Sequence, residues 1–220
     1  MKIQEQLIQL IGDANRNAAR ELLEEWFKNN PSEIFFDELL LPVLEVVGKR
    51  YISKESLSLA QAYVASKFAA DGFELFKKHS SSQPSAYKGH VVLANIEDDF
   101  HDLGRDIACN FLEADGWNVV NMGNDKTAEE IVDKAVETGA RVIGVSAMMY
   151  TTALNIKEVR KELQGRGLEN SIKIAVGGAI FAQRPTMVDE VDADGTCKSA
   201  TEVSQLFEKL WELAKGGNNE

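Results

Sequence analysis

The chain has 220 residues, 44% of them hydrophobic and 27% charged, which is enough for one large domain or two small ones with real cores. A formal net charge of −11, with the acids spread along the chain, argues against nucleic acid or an anionic membrane as the partner. No apolar run reaches the roughly 18 residues of a membrane span, the amphipathic start lacks the apolar segment of a secretory leader, and Cys109 and Cys197 form no CxxC pattern, so a cytoplasmic protein with reduced thiols is expected.

Residues 1–78 read as helix. Leu7, Ile8, Leu10 and Ile11 make one apolar stripe, and Leu22, Leu23, Trp26 and Phe27 a second. Asn30-Pro31-Ser32 breaks the chain, a third helix runs through Phe36, Leu39, Leu40, Val43, Val46 and Val47, and Gly48 is expected to stop it. A fourth covers about Leu57 to Lys78, with Ala62, Ala65, Ala69, Phe73 and Phe76 among its small and apolar positions. Four helices with short turns predict a small N-terminal four-helix bundle. Residues 79–89, Ser-rich and carrying Pro84, read as a linker.

Residues 90–220 alternate. Strands are predicted over His90–Ile96, Trp117–Asn121, Arg141–Ala147, Ile172–Val176 and, briefly, Asp194–Cys197. Helices are predicted over Asp102–Asp115, Thr127–Thr138, Ala153–Gln164, Arg184–Val191 and Thr201–Ala214, with capping boxes at Thr127-x-x-Glu130 and Ser199-x-x-Glu202. Five such units predict an α/β domain with a doubly wound, five-stranded parallel sheet of flavodoxin-like or Rossmann-like type.

In such sheets ligands bind outside the carboxyl ends of the strands. Those loops hold Glu97-Asp98-Asp99-Phe100-His101-Asp102-Leu103-Gly104, Ser146-Ala147-Met148-Met149-Tyr150-Thr151-Thr152, Gly177-Gly178-Ala179 and Thr196-Cys197-Lys198-Ser199. His101 is a metal-ligand candidate, and Asp99, two residues earlier, can reach its second nitrogen and fix the tautomer. Each signal has a plain structural counterpart: His101 and Asp99 as helix caps, Gly177-Gly178 as a tight turn, Ser146 as a cap. Their coincidence on three neighbouring strand ends favours a site. A phospho-receiver would match Asp98, Asp99 and Lys198 but needs an aspartate where Ser146-Ala147-Met148 stands. Neither GxGxxG after the first strand nor GxxxxGK[ST] is present.

The combination Asp99-x-His101-x-x-Gly104, Ser146-x-Met148 and Gly177-Gly178 resembles the cobalamin-binding domain of methionine synthase and of the corrinoid proteins of methanol, methylamine and methoxyaromatic methyltransferase systems. Residues 1–78, with Leu40-Leu41-Pro42-Val43 leading to Val47-Gly48, are similar to that family's helical cap. The resemblance implies cobalamin (methylcobalamin or another corrinoid) bound with its own base displaced and His101 on cobalt. Asp99 and then the Thr152 hydroxyl would stand behind the imidazole, and Phe100, Asp102 and Leu103 would complete the motif. The nucleotide tail would pass Ser146 and Met148 and rest on Gly177-Gly178, and Leu57, Gln61 and Tyr63 would be cap contacts. Tyr150 stands where methyl-carrier relatives have a small hydroxyl residue, which bears on the room for the nucleotide base. The implied function is a methyl carrier between donor and acceptor methyltransferase subunits, served by a reductive activator. The alternative is a cobalamin-responsive sensor of the same fold; residues 51–63 lack the Trp and Glu-His pair of the light-sensing relatives.

Overall fold

The computed structural model describes residues 2–52, 58–79, 87–197 and 202–216. The chain divides into two compact units, Met1–Ser82 and Gln83–Glu220. Most of the predicted linker, together with Leu57, Lys198 and Ser199, lies outside the described residues.

The first unit contains α1 (Ile3–Gly12), α2 (Arg16–Asn29), α3 (Leu41–Ile52) and α4 (Leu59–His79). Leu7, Ile11, Leu23, Trp26 and Phe27 are buried, as the stripes predict, and Val64, Phe68 and Leu75 of α4 join them. Asn15 caps α2 by accepting the Ala18 amide at 3.2 Å. The third predicted helix is divided: a π-helical turn over Phe36–Leu40 precedes α3. Gly48 does not stop α3, which runs on to Ile52; one glycine costs a helix only about 1 kcal/mol, and buried Leu40, Val43 and Val47 hold the segment in place. Between α2 and α4, buried Asp71 accepts Arg16 Nε at 3.1 Å and Arg16 Nη2 at 2.9 Å, and also Arg20 Nη1 at 2.8 Å.

The apolar centre of this unit is aromatic. The fully buried Phe35 ring lies 4.7 Å from Phe27 and 5.8 Å from Trp26. It presses on α4 at Gly72, where a Cβ would stand 2.6 Å from Phe35 Cζ. Gly72→Ala is therefore expected to cost about 1–3 kcal/mol through overpacking. The check is the denaturation midpoint, with partial recovery when Phe35→Leu accompanies it.

The second unit is a five-stranded, all-parallel sheet: β1 (Gly89–Asn95), β2 (Trp117–Asn121), β3 (Val142–Ser146), β4 (Lys173–Gly177) and β5 (Gly195–Thr196), in the order β2-β1-β3-β4-β5. Its helices are α5 (Leu103–Ala114), α6 (Ala128–Thr138), α7 (Tyr150–Ala153), α8 (Ile156–Gly165), α9 (Ala179–Gln183), α10 (Met187–Glu190) and α11 (Val203–Gly216). Alternate strand residues serve opposite faces, as a two-sided sheet requires. Val91, Leu93, Val142 and Ala175 pack with Cys109 and Leu112 of α5 and Phe207 and Leu210 of α11. Val92, Ala94, Ile143 and Ile174 pack with Ile131 of α6 and Val159 of α8. The Thr127 capping box forms, with Glu130 N on Thr127 Oγ1 at 3.3 Å and Thr127 N on Glu130 Oε2 at 2.9 Å.

Two predicted helices need correction. The one placed at Ala153–Gln164 is α8, preceded by a short α7 that ends at Ala153, and the one placed at Arg184–Val191 shortens to α10, preceded by an unpredicted α9. In the second case Pro185 ends a helix that begins directly after Gly178; a proline disfavours helical backbone in the residue before it.

Candidate functional site

Asn95, Ser146 and Gly177 end β1, β3 and β4 and are paired in register, Asn95 with Ser146 and Ser146 with Gly177. The predicted strand-end residues Ser146 and Gly177 thus stand in one row with Asn95 across the carboxyl edge. The order reverses between β1 and β3, so the loops following those two strands border the crevice where open sheets bind ligands.

The loop after β1 begins with a tight turn. Asp99 N donates to Ile96 O at 3.0 Å, with Asp98 left-handed at φ 65°, and Asp98 N donates to Asp125 Oδ1 at 2.9 Å from the loop after β2. This turn sends Asp99 inward, where it is fully buried. Its Oδ1 accepts His101 N at 3.0 Å and Asn95 Nδ2 at 3.0 Å. Its Oδ2 accepts Met148 N at 2.7 Å, and the Thr152 hydroxyl lies 3.1 Å away. One carboxylate therefore joins the loops after β1 and β3. Burial pushes the Asp99 carboxyl up, but the hydrogen bonds from Met148, His101, Thr152 and Asn95 outweigh it and hold it below the usual carboxylate range.

His101 behaves differently. Its side chain is 52% exposed, and its Nδ1 stands 3.4 Å from Asp99 Oδ1. Capping does not account for this pair: Asp102, which precedes α5, makes no side-chain cap bond, and the amide that Asp99 accepts lies before the helix. Phe100 is 64% exposed beside it, Asp102 and Gly104 are exposed, and Leu103 is half-buried. Among the described residues no three His, Cys, Asp or Glu side chains gather to hold a bare ion, so the donor set at this edge is one imidazole.

Beside this edge a cavity of about 300 Å³ opens between the sheet and the α5–α11 face. Gly104, Ser146, Gly177 and Gly178 line it, with Gly144 and Ala175 beneath and Thr196 at the side. A volume near the lower end of small-ligand sites and small residues on adjacent strands make a slot into the sheet. A Cβ on Gly104 or Gly177 would meet no atom within 4 Å, so their smallness keeps space open rather than satisfying protein packing. Gly178 is required by the fold, with φ 113° and a Cβ position 2.0 Å from Ala147 O.

Tyr150 is 41% exposed and is not among the residues lining the cavity; Arg184 stacks on its ring at 5.0 Å and pairs with Glu190 at 2.6 Å. The departure at Tyr150 therefore does not narrow the slot. Met148 presents its backbone N–H to Asp99. In the first unit, Gln61 closes a box with Ser58 (2.7 and 3.2 Å), and its Nε2 donates to Gly12 O at 2.6 Å. Tyr63 is exposed, with Lys67 Nζ 5.6 Å from its ring centre. Cys197 lines the cavity and burial raises its thiol, while burial pushes that of Cys109 up to about 12; both are poor nucleophiles at neutral pH.

The sequence reading missed Asn95 and Arg105, both buried. Arg105 Nη1 donates to Asn95 Oδ1 at 2.8 Å and also to Asn124 Oδ1, and its Nη2 pairs with Asp106 at 2.8 Å. The available signal was an asparagine ending an otherwise apolar strand, since a buried amide needs partners.

A family model described as the B12 binding domain matches residues 89–206, and a second of the same description matches residues 3–77. A corrinoid protein of Desulfitobacterium hafniense (strain Y51) is 38% identical over 137 residues, a stretch covering 62% of this chain and 62% of that protein. Trimethylamine corrinoid protein 1 of Methanosarcina acetivorans is 33% identical over 162 residues, covering 73% of this chain and 74% of the relative. The solved monomethylamine corrinoid protein of Methanosarcina barkeri has a TM-score of 0.78 at 23% identity, covering 95% of this chain and 98% of that one, which shows a shared fold. No described helix is long and apolar enough to cross a membrane.

Proposed function

The chain belongs to the B12 binding domain family, and from that membership we propose that it holds a corrinoid with the cofactor's own base displaced and His101 on cobalt, and that it passes a methyl group between a donor and an acceptor methyltransferase. When bound, the corrinoid supplies the cobalt that accepts and gives up the methyl group. The observation that carries the reading is the pairing of a wholly buried Asp99 with a half-exposed His101 in the loop that leads to Gly104, a residue lining the slot in the sheet. The corrinoid proteins of trimethylamine and dimethylamine systems among its relatives support the carrier role.

The residues fit such a group. One imidazole is one ligand, which would suit a metal that comes already held within its cofactor rather than a bare ion. Asp99 Oδ1, 3.4 Å from Nδ1, favours the tautomer with the proton on Nδ1 and leaves the Nε2 lone pair for a metal. The Asp99 carboxylate, with the Thr152 hydroxyl on its far oxygen, would hold the ring and its Nδ1 proton in place. The open space at Gly104 and Gly177 admits a displaced tail, and Leu93, Val203 and Phe207 keep water from it. Leu57, Gln61 and Tyr63 belong to this reading as cap contacts. Methyltransferase subunits and a reductive activator are its expected partners.

The test is to load the protein with hydroxocobalamin and record absorption spectra of wild type and His101→Ala. Wild type is expected to show an axial protein nitrogen, and the variant an axial water. The same axial ligation in both overturns the role of His101, and failure of wild type to take up any corrinoid overturns the whole reading.

A further inference from the structure

Arg105 belongs at once to the cavity and to the hydrogen-bonded chain behind His101. It is 6% exposed and lines the slot. Its Nη1 and Nη2 are engaged by Asn95, Asn124 and Asp106. Its Nε is also buried and has no hydrogen-bond partner among the described residues. A buried N–H without an acceptor is costly, and in a residue that lines an open slot the missing acceptor is one that a ligand can bring.

The other end of the guanidinium sets the orientation of Asn95. Arginine can only donate, so Asn95 must turn its Oδ1 toward Nη1, which directs its Nδ2 to Asp99 Oδ1 at 3.0 Å. That oxygen is the one that accepts His101 N and faces Nδ1. Hydrogen bonds thus run from the slot through Arg105 and Asn95 to Asp99 and the His101 backbone amide, and the same Asp99 oxygen stands 3.4 Å from the imidazole Nδ1.

We propose that Arg105 is a positioning residue that couples filling of the slot to the seating of His101, its Nε donating to an acceptor oxygen of the slot's occupant while Nη1, through Asn95, holds Asp99 against the imidazole. The proposal rests on the corrinoid reading above. A group that enters the slot completes the hydrogen bonding of a guanidinium that is otherwise one acceptor short, and a fixed guanidinium steadies Asn95 and Asp99. By reciprocity, a corrinoid without a nucleotide tail should bind more weakly and hold the axial nitrogen less firmly.

The experiment compares cobalamin with cobinamide, the same macrocycle lacking the tail, on wild type, Arg105→Lys and His101→Ala. Three quantities are read: the Arg105 Nε–H resonance in wild type, assigned through its own backbone; the affinity ratio of the two corrinoids; and the axial-nitrogen splitting in the electron spin resonance of the one-electron-reduced cobalt. Cobalamin should shift and protect the Nε–H, and cobinamide should leave it unmoved. Arg105→Lys should reduce the cobalamin preference about fivefold or more and lower the nitrogen-ligated fraction. A lost salt bridge alone would leave the preference between the two corrinoids unchanged. The same Nε–H response to both corrinoids overturns the proposal, as does an Arg105→Lys protein with wild-type preference and splitting. If Arg105→Lys does not fold, the wild-type resonance decides alone. Wild type that binds neither corrinoid overturns the corrinoid reading and this with it; wild type that loses its nitrogen splitting only in His101→Ala leaves that reading standing and overturns this one.

Discussion

Asp99→Ala is expected to destabilise the α/β unit by about 3–5 kcal/mol, the range for removing one partner of a buried charged arrangement. The loss is large because the carboxylate has no solvent to share. It accepts the amides of His101 and Met148 and the Asn95 side chain, and the Thr152 hydroxyl lies within reach. Alanine leaves those donors buried and unmet, each at about 1–3 kcal/mol before relaxation. Asp99→Asn should recover only part, since its amide oxygen can replace one carboxylate oxygen while its NH₂ opposes donors at the other. The measurement is chemical denaturation followed by a probe in the α/β unit. A cost under about 1 kcal/mol for Asp99→Ala would show that the two loops do not depend on this carboxylate. The pH dependence has a definite sign. The folded carboxyl lies below its ordinary value, so its stabilisation is complete above the unfolded value, about 3.9, and is lost as pH falls through the folded one. Wild type should therefore lose more stability than Asp99→Asn when taken from neutral pH into that acid range.

The strands were legible as short, continuous Val- and Ile-rich runs, the pattern of a parallel sheet covered on both faces, and β2 falls at the predicted residues. Their carboxyl ends then pointed to the candidate site, since parallel topology puts loops where ligands bind. What escaped depended on tertiary context. The π-helical turn at Phe36–Leu40 has no local signature that separates it from the helix it enters. Gly48 reads as a stop, yet packing outweighs its propensity. Arg105 in the first turn of a helix reads as a solvated charge, and only the fold brings Asn95 and Asn124 to it. Gly177-Gly178 and Ser146 were the hints of the slot at the strand ends, and Gly144, unread in the sequence, is a glycine inside a strand, which marks close approach: a Cβ there would come within 3.0 Å of Leu93 and Phe207.

Gly177→Ala and Gly178→Ala should separate the two reasons for a Gly-Gly pair. Gly178→Ala is expected to cost about 3–5 kcal/mol, because φ 113° with ψ 168° is a region essentially confined to glycine and the new Cβ would overlap Ala147 O at 2.0 Å. Relief requires moving the loop after β3, whose next amide, Met148 N, is bonded to Asp99, so the disturbance passes to the carboxylate behind His101. Gly177→Ala has neither defect: its φ is not positive, and its Cβ meets nothing within 4 Å. Its stability should stay within about 0.5 kcal/mol of wild type. Yet Gly177 lines the slot, so its methyl group should weaken corrinoid binding while leaving the fold intact. Denaturation of the free proteins and corrinoid titration of each variant check the pair. If Gly177→Ala binds as wild type does, the open space at that strand end is not where the ligand lies. If Gly178→Ala is as stable as wild type, the backbone contact with Ala147 is not a constraint on the loop that holds Asp99.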